Sequence, residues 1–176
     1  MRPVTLFIAL SLDGFIADGQ GGVDWLQGQD PNADLPDSYG PFIQTVDTVV
    51  MGAATYRQIV TELSPGEWPY QGLEAYVITH SPQPGRPGIT FTGLDACTLV
   101  KQLKARSGKG IWICGGAAIA RPLIEHDLID RYHLSVIPTR LGGGVRLFGP
   151  LNKPLPLRLV HTQSGNGITD LVYQRR

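Results

Sequence analysis

Short apolar segments recur along this 176-residue chain, and segments with the periodicity of amphipathic helices lie between them. Nearly continuous apolar runs predict strands covered on both faces, here at residues 4–10, 48–51, 75–79 and 111–114. Apolar positions at helical spacing predict helices in the intervening segments, over residues 41–46, 55–63, 95–106 and 117–125. Strand and helix therefore alternate through the first two thirds of the chain.

The last third of the chain has the patterns of antiparallel strands. Apolar and polar residues alternate from 131 to 138, with His133 and Ser135 among the polar ones, which predicts a half-buried strand. A Ser-Gly-Asn-Gly turn joins residues 157–163 to residues 168–175, which is a strong hairpin signal. The patterns predict an α/β fold with a mixed sheet, and the length fits a single domain over the whole chain.

Composition narrows the class of function. Hydrophobic residues make up 42% of the chain and 15 basic residues balance 15 acidic ones, so we expect neither disorder nor a basic nucleic-acid-binding face. The apolar segments are too short to span a bilayer, and no secretory signal pattern opens the chain. The four histidines and two cysteines fall at no metal-binding spacing. We therefore expect a cytoplasmic protein that acts on a small molecule, with no metal and with neither nucleic acid nor membrane as a partner.

Two predicted strand-to-helix junctions carry glycines that favour anion binding. In the first, Gly115 and Gly116 precede a helix that begins with Ala117 and Ala118. Glycines let backbone N–H groups approach an anion, and a helix N-terminus adds about half a positive charge. A phosphate or pyrophosphate would be stabilised there. The alternative is a tight turn that needs glycine only for its backbone conformation.

The second junction has the same form, with Gly52 followed by Ala53, Ala54 and Thr55. Thr55 would either bond a phosphate or cap the helix, and capping is the simpler interpretation. Ligands of open α/β sheets collect beyond the carboxyl ends of the strands, where both junctions lie. Neither junction has the glycine spacing of the dinucleotide fingerprint or of the P-loop.

Polar residues beside the predicted strands supply further candidates. Ser11 and Asp13 follow the first strand, where Asp13 either forms an Asx-type turn or faces a ligand. Asp37 comes just before a predicted helix. It either stabilises the N-terminus of that helix through its carboxylate or faces a ligand. Trp25 either lines a cleft or closes the core. Residues 141–144 form either a flexible turn or a set of backbone donors for a ligand.

In this order the segments resemble the dihydrofolate reductase superfamily, and more narrowly the reductase domain of riboflavin biosynthesis and its stand-alone relatives. The resemblance is carried by residues 11–17, 24–26, 49–56, 76–79, 113–130 and 137–148. It implies a three-layer α-β-α fold with a mixed central sheet of about eight strands and a C-terminal antiparallel hairpin.

The resemblance also implies a nicotinamide dinucleotide that lies across the strand ends. Ala9 and Ile16 would contact the nicotinamide carboxamide. The residues that would face the phosphates lie at the two junctions: Gly52, Ala54, Thr55, Gly115, Gly116, Ala117, Ala118 and Ile119. Those that would approach the adenosine end follow the third predicted strand: Thr79, His80 and Ser81.

One position departs from the family pattern. An arginine commonly follows the Met-Gly pair and meets the adenosine 2′-phosphate, whereas Ala53 stands here and supplies neither charge nor donor. We expect NADPH as the cofactor, with NADH as the alternative. Either another cation substitutes or the preference for NADPH is weakened; the candidate cations are Arg57, His80, Arg86 and Arg121.

The reaction that the resemblance implies is hydride transfer to a C=N or C=O carbon of a small pyrimidine- or pterin-like heterocycle, as in 5-amino-6-(5-phosphoribosylamino)uracil reductase or dihydrofolate reductase. Asp13 and Asp37 are the candidate catalytic residues, which would orient or deliver a proton. Ser11, Trp25 and Ser135 are the candidate substrate contacts. The zinc deaminase motif that is often fused to riboflavin-pathway reductases does not occur in this sequence.

Two further expectations complete the sequence-based picture. The alternative function is a nucleotide-binding or regulatory module that keeps the dinucleotide site and has lost turnover. The resemblance and the apolar C-terminal hairpin together favour a homodimer.

Overall fold

A computed structural model describes residues 1–81 and 83–176 of the chain. In chain order, the secondary structure elements are β1 (Val4–Ser11), β2 (Phe15–Ala17), α1 (Tyr39–Ile43), β3 (Val46–Gly52), α2 (Ala53–Gln58), β4 (Glu74–Ile78), β5 (Ile89–Thr92), α3 (Ala96–Ala105), β6 (Gly110–Gly115), α4 (Ala117–Glu125), β7 (Arg131–Ile137), β8 (Val145–Arg146), β9 (Leu157–Gly165) and β10 (Ile168–Arg175). A π-helical turn over Ile59–Leu63 extends α2.

Eight of these strands form one mixed sheet, in the order β5-β4-β3-β6-β1-β7-β10-β9. The six strands from β5 to β7 run parallel, whereas β10 is antiparallel to both β7 and β9. The two remaining strands, β2 and β8, pair with each other in a small second sheet. The predicted α/β fold with a mixed sheet and a C-terminal hairpin is confirmed.

Helices cover both faces of the large sheet and bury an apolar core on each. On one face, α3 and α4 contribute Leu99, Leu103 and Leu123 to a cluster with strand residues such as Leu6 and Ile113. On the other face, α1 and α2 pack against the sheet through another cluster, which includes Phe42, Tyr56, Val49, Met51 and Trp112. These three layers match the architecture that the resemblance implied.

The helix boundaries follow local signals in the sequence. Asp95 caps α3, because its Oδ1 accepts a hydrogen bond from the Thr98 N–H at 2.9 Å. The predicted helix over 117–125 coincides with α4. The one predicted over 41–46 is shorter and starts earlier, as α1, because the chain already enters β3 at Val46. None of the helices in the described ranges is both long and apolar enough to cross a membrane.

Candidate functional site

The two glycine junctions meet at one edge of the sheet. Gly52 ends β3 and Gly115 ends β6, and these two strands are parallel neighbours. A Cβ atom placed on Gly116 would lie 3.6 Å from Thr55 Oγ1 of α2. A Cβ atom placed on Gly52 would lie 3.3 Å from Cγ1 of Ile119 in α4. The first turns of α2 and α4 are therefore side by side.

Both helices present their N-terminal backbone donors without a side-chain cap. The N-cap residues are Gly52 for α2 and Gly116 for α4, and neither first turn contains an acidic residue. Thr55 does not cap α2, so the capping interpretation of this residue is wrong. Uncapped N–H groups from two adjacent helices favour an anion at this edge, because each helix dipole is positive at its N-terminus. The donor set fits the phosphates of a dinucleotide.

The residues predicted to face the cofactor phosphates lie at this edge, and two of them, Ala117 and Ile119, are buried. Ala54 and Ala118 are exposed in the first turns of their helices, and Thr55 is half-buried. Ile119 instead points into the core, where it is 7% exposed, and its N–H donates to the Gly116 carbonyl at 3.0 Å. Its side chain thus packs beside Gly52 on the core side of the junction. The Gly115–Gly116 peptide bond is cis.

The segment predicted to approach the adenosine end leaves the sheet beside β3. Thr79 follows β4 and is buried, and its Oγ1 accepts a hydrogen bond from the Ser81 N–H at 3.1 Å. His80 and Ser81 are exposed. The Thr79 hydroxyl therefore shapes the turn, while the two exposed residues are the ones that a ligand can reach.

Arg121 is not free to replace the missing family arginine. Its guanidinium donates from Nη2 to the Arg146 carbonyl at 2.5 Å and from Nε to the Leu147 carbonyl at 3.4 Å. These bonds attach β8 to α4. Arg57, His80 and Arg86 are exposed and remain candidates, and Ala53 is half-buried at the start of α2.

Asp13 links the turn after β1 to the turn after β7. Its Oδ1 accepts hydrogen bonds from Ser11 Oγ at 2.7 Å and from the Leu141 N–H at 3.0 Å, and its Oδ2 accepts one from the Gly142 N–H at 2.7 Å. Partial desolvation raises the pKa of Asp13, but the bonds from Ser11, Gly142 and Leu141 outweigh it and lower the pKa to about 2. The ionised carboxylate is suited to holding these two turns and poorly suited to donating a proton near neutral pH.

The bonds of Asp13 bear on two predictions, the backbone donors of residues 141–144 and the role of Ser11. The N–H groups of Leu141 and Gly142 donate to Asp13, which leaves those of Gly143 and Gly144 as the predicted donors for a ligand. Ser11 is 1% exposed, and its Oγ also accepts the Phe15 N–H at 3.0 Å. The geometry favours a role in the turn for Ser11 over direct contact with substrate.

Trp25 lies in the loop that follows β2. Its ring is half-buried and its Nε1 donates to the Gly22 carbonyl at 3.1 Å. The neighbouring Gly21 carbonyl accepts a hydrogen bond from Gln58 Nε2 of α2 at 3.0 Å. The loop after β2 is thus attached to α2, one of the two helices with a glycine at the N-cap.

A groove of about 400 Å³ lies between α1 and the sheet face formed by β7, β10 and β9. Asp37 and Phe42 line it from the helix side, and His133 and Gln163 from the sheet side. Asp37 Oδ1 accepts the Gly40 N–H at 2.8 Å, so this residue has both a structural contact and a place in the groove. Of the two predicted catalytic carboxylates, Asp37 lines the groove. Asp13 is not among the described residues that line it.

Aromatic rings form the inner wall of the groove. The His133 imidazole stacks on the Phe7 ring with the centroids 4.1 Å apart, and Phe42 meets Phe7 edge to face at 4.6 Å. Burial lowers the pKa of His133; Asp170 opposes this shift, and His161 and Arg131 add to it. A neutral ring beside two phenyl rings suits a flat, uncharged heterocycle.

Asp170 is the main residue that the sequence analysis missed. It is 1% exposed in β10, and its carboxylate accepts hydrogen bonds from Ser135 Oγ and, at 3.0 Å, from Gln163 Nε2. Across the sheet, Ala9 pairs with Ser135, Ser135 with Asp170, and Asp170 with Gln163. This four-residue row connects the strand predicted to contact the nicotinamide with the groove. The available signal was an acidic residue on the same strand face as the apolar Ile168 and Val172.

Comparison with known proteins agrees with this architecture. The chain is 38% identical to the uncharacterized protein YwjB of Bacillus subtilis over 175 residues, which covers 99% of this chain and 98% of that protein. A Shewanella sp. PV-4 protein with a proposed role in riboflavin biosynthesis has 29% identity and a TM-score of 0.81, covering 100% of this chain and 99% of that one.

Two more distant structures share the fold. The Thermotoga maritima diaminohydroxyphosphoribosylaminopyrimidine deaminase/5-amino-6-(5-phosphoribosylamino)uracil reductase has 16% identity and a TM-score of 0.70; the match covers 99% of this chain and 57% of that one. Enterococcus faecalis dihydrofolate reductase has 18% identity and a TM-score of 0.69, with 98% of this chain and 96% of that one covered. The sequence model of the RibD C-terminal domain matches residues 2–169. With nearly the whole chain matched, this protein belongs to the RibD C-terminal domain family.

Proposed function

We propose that the protein is a reductase that uses NADPH, or alternatively NADH, to reduce a C=N or C=O bond of a small pyrimidine- or pterin-like heterocycle. The family and the two reductases among the fold neighbours support a reductase-type function. One observation carries the finer proposal. The uncapped N-termini of α2 and α4 lie side by side at the same sheet from which an aromatic groove opens.

Residues at the glycine junctions would hold the dinucleotide. Backbone donors at Gly116 and Ala118, with Thr55 Oγ1 beside them, would bind its phosphates, and Ala9 and Ile16 would contact the carboxamide of the nicotinamide. When bound, the reduced nicotinamide supplies a hydride. Holding the two reactants close together on the sheet would make their reaction effectively unimolecular, which is the main contribution we assign to this chain.

The two predicted catalytic carboxylates have different environments and therefore different proposed roles. Asp13 holds the turns after β1 and β7, so it would fix the rim beside the nicotinamide without giving up a proton. Asp37 lies on the groove and is exposed, so water reaches it. We assign to Asp37 the orientation of substrate, or of the water that passes a proton to it. Phe42 and His133 would keep bulk water away from the flat face of the substrate.

A coenzyme titration followed by a turnover assay tests this function. We expect NADPH to bind the purified protein with a change in its fluorescence. We then expect the absorbance of the reduced nicotinamide to fall when dihydropterins and ribosylamino-pyrimidines are added one at a time. Binding of NADPH without oxidation by any of these compounds would instead support the alternative, a nucleotide-binding module that has lost turnover. A protein that binds neither NADPH nor NADH would contradict the proposal.

We also propose a homodimer that forms through β9. This strand is one of the two edges of the large sheet, and Leu159 and Val160 on it are 49% and 41% exposed. An exposed edge strand with apolar side chains is a pairing site unless it is covered. Sedimentation velocity should give the mass of a dimer for the native chain and that of a monomer for Val160→Lys. A native chain that sediments as a monomer would exclude this assembly.

A further inference from the structure

Asp170 is the only acidic residue within the described ranges 1–81 and 83–176 that is buried. No Lys or Arg in these ranges forms an ion pair with it, and the nearest basic group is His133, whose Nε2 lies 3.8 Å from Asp170 Oδ1. Burying a carboxylate without a cationic partner is costly. Such a group, bonded to the groove-lining Gln163, therefore calls for a functional explanation.

The hydrogen bonds of Asp170 fix the direction of two neighbouring groups. Ser135 donates its only hydroxyl proton to Oδ1, so the Oγ lone pairs are what it can offer to a ligand. Gln163 donates from Nε2 to Oδ2, which leaves its amide oxygen Oε1 as a free acceptor. Asp170 therefore leaves Ser135 with only lone pairs to offer, and it orients the Gln163 amide so that Oε1 is free to accept while the second Nε2 proton stays available.

These acceptors stand where a substrate would lie. Ser135 is the direct sheet neighbour of Ala9, the residue assigned to the nicotinamide, and Gln163 lines the groove. The Nε2 atom of His133, another groove-lining residue, is buried and has no hydrogen-bond partner within the described part of the chain. Unsatisfied buried atoms are rare in folded proteins, and a ligand that reaches His133 would satisfy this one.

We propose that Asp170 is a positioning residue that sets the substrate specificity of the groove. By holding Ser135 and Gln163 as acceptors, it selects a flat heterocycle whose edge presents N–H donors, and it disfavours the same ring with those donors blocked. This inference rests on the proposed function, since it concerns the substrate of the same site.

A pair of pyrimidines with matched rings provides the test. One is 6-aminouracil, which has two ring N–H donors, and the other is 6-amino-1,3-dimethyluracil, in which methyl groups block both. Their dissociation constants would be measured by ligand-observed NMR with NADPH in excess. In the native protein we expect 6-aminouracil to bind more tightly. In Asp170→Asn the new amide donates to Ser135, whose proton then turns into the groove, so the preference should fall by about tenfold.

Two further variants separate this role from a general effect on folding. Gln163→Met removes one acceptor from the half-buried edge of the sheet and should also reduce the preference. Thr169→Val, the neighbour of Asp170 on the opposite face of β10, should leave it unchanged. The melting temperature and the NADPH affinity of each variant show whether the fold is intact, so Gln163→Met still provides a test if Asp170→Asn does not fold.

The outcomes distinguish this inference from the function on which it rests. If NADPH binds the native protein but Asp170→Asn and Gln163→Met keep the native preference, the role of Asp170 is wrong and the cofactor assignment stands. If the native protein binds NADPH and neither pyrimidine, the role is also wrong. If neither NADPH nor NADH binds, both proposals are overturned.

Discussion

Gly116 lies directly against Thr55, since a Cβ atom on the glycine would be 3.6 Å from the threonine Oγ1. The distance is an ordinary van der Waals contact, and the backbone of Gly116 has a φ of −77°, which any residue can adopt. A Cβ atom at this position would therefore not clash with Thr55. The contact instead closes the gap between two helix N-termini, so a larger or charged side chain at Gly116 would occupy the space assigned to phosphate.

Gly116→Asp should abolish coenzyme binding while the protein remains folded. The carboxylate would both fill the junction and repel the phosphates from the donors of α2 and α4. Calorimetric titration with NADPH measures the effect. Gly149→Asp makes the same charge change at a glycine whose added Cβ would meet only the Arg121 side chain at 3.8 Å, so it should bind like the native protein. Native affinity in Gly116→Asp would mean that the phosphates bind elsewhere.

Ala53→Arg should increase the preference for NADPH over NADH. Position 53 begins α2 beside the glycine junction, and an arginine there would restore the charge-assisted bond to a 2′-phosphate that the family pattern contains. A bond of this type corresponds to about tenfold or more in relative affinity. The ratio of the two dissociation constants is the measurement. Ala53→Gln, with a long uncharged side chain, should leave this ratio near its native value; an equal shift in both variants would exclude the electrostatic explanation.

Gly144→Ala should destabilise the protein by about 2 kcal/mol or more. Gly144 has a φ of +126°, and a Cβ atom there would be 2.2 Å from the Ala17 carbonyl oxygen. The backbone would have to move away from β2, which pairs with β8 immediately after Gly144. Urea unfolding of the native protein and of the variant measures the change in the free energy of unfolding. The adjacent Gly143→Ala is a close control, because nothing in the described structure lies within 4 Å of its added Cβ and its φ is ordinary.

Asp13→Asn should change how stability depends on acidic pH. In the folded chain the pKa of Asp13 is about 2, against an ordinary value of 3.8. Its contribution to stability is therefore complete above pH about 4 and disappears as the pH falls through about 2. The stability difference between native protein and variant should be largest above pH about 4 and should shrink with acidification across this window. Asp34→Asn, in an exposed loop, serves as the control. A stability difference that does not change with pH would contradict the role of the Asp13 carboxylate in holding the two turns together.

Much of the fold follows from the sequence because its signals are local. The buried strands are nearly continuous apolar runs, and α3 has both a cap at Asp95 and an apolar face. The strands β2, β5 and β8 were not predicted, because they span two to four residues and leave no measurable periodicity. The short α1 was misplaced for a similar reason. Its position depends on where β3 begins, and this is set by pairing with distant strands.

The functional site also has a part that could be predicted from the sequence and a part that could not. The glycine junctions were predictable, since each glycine stands directly between a strand and a helix in the sequence. Whether Thr55 caps α2 was not, and neither was the core packing of Ile119, because both depend on how the two junctions meet. The groove was predictable only in part. The alternation that placed His133 and Ser135 on one face is local, whereas the bond from Ser135 to Asp170 joins strands whose pairing no local pattern specifies.

The position of β1 in the sheet has a consequence for biosynthesis. Its neighbours are β6 and β7, so Val4 pairs with Ile111 and Thr5 with Arg131. At a synthesis rate of about 5–20 residues per second, the apolar first strand leaves the ribosome seconds before either neighbour exists. Throughout that interval the apolar segment has no partner strand and is prone to aggregation. The middle of the sheet therefore assembles late, around the strand that was synthesised first.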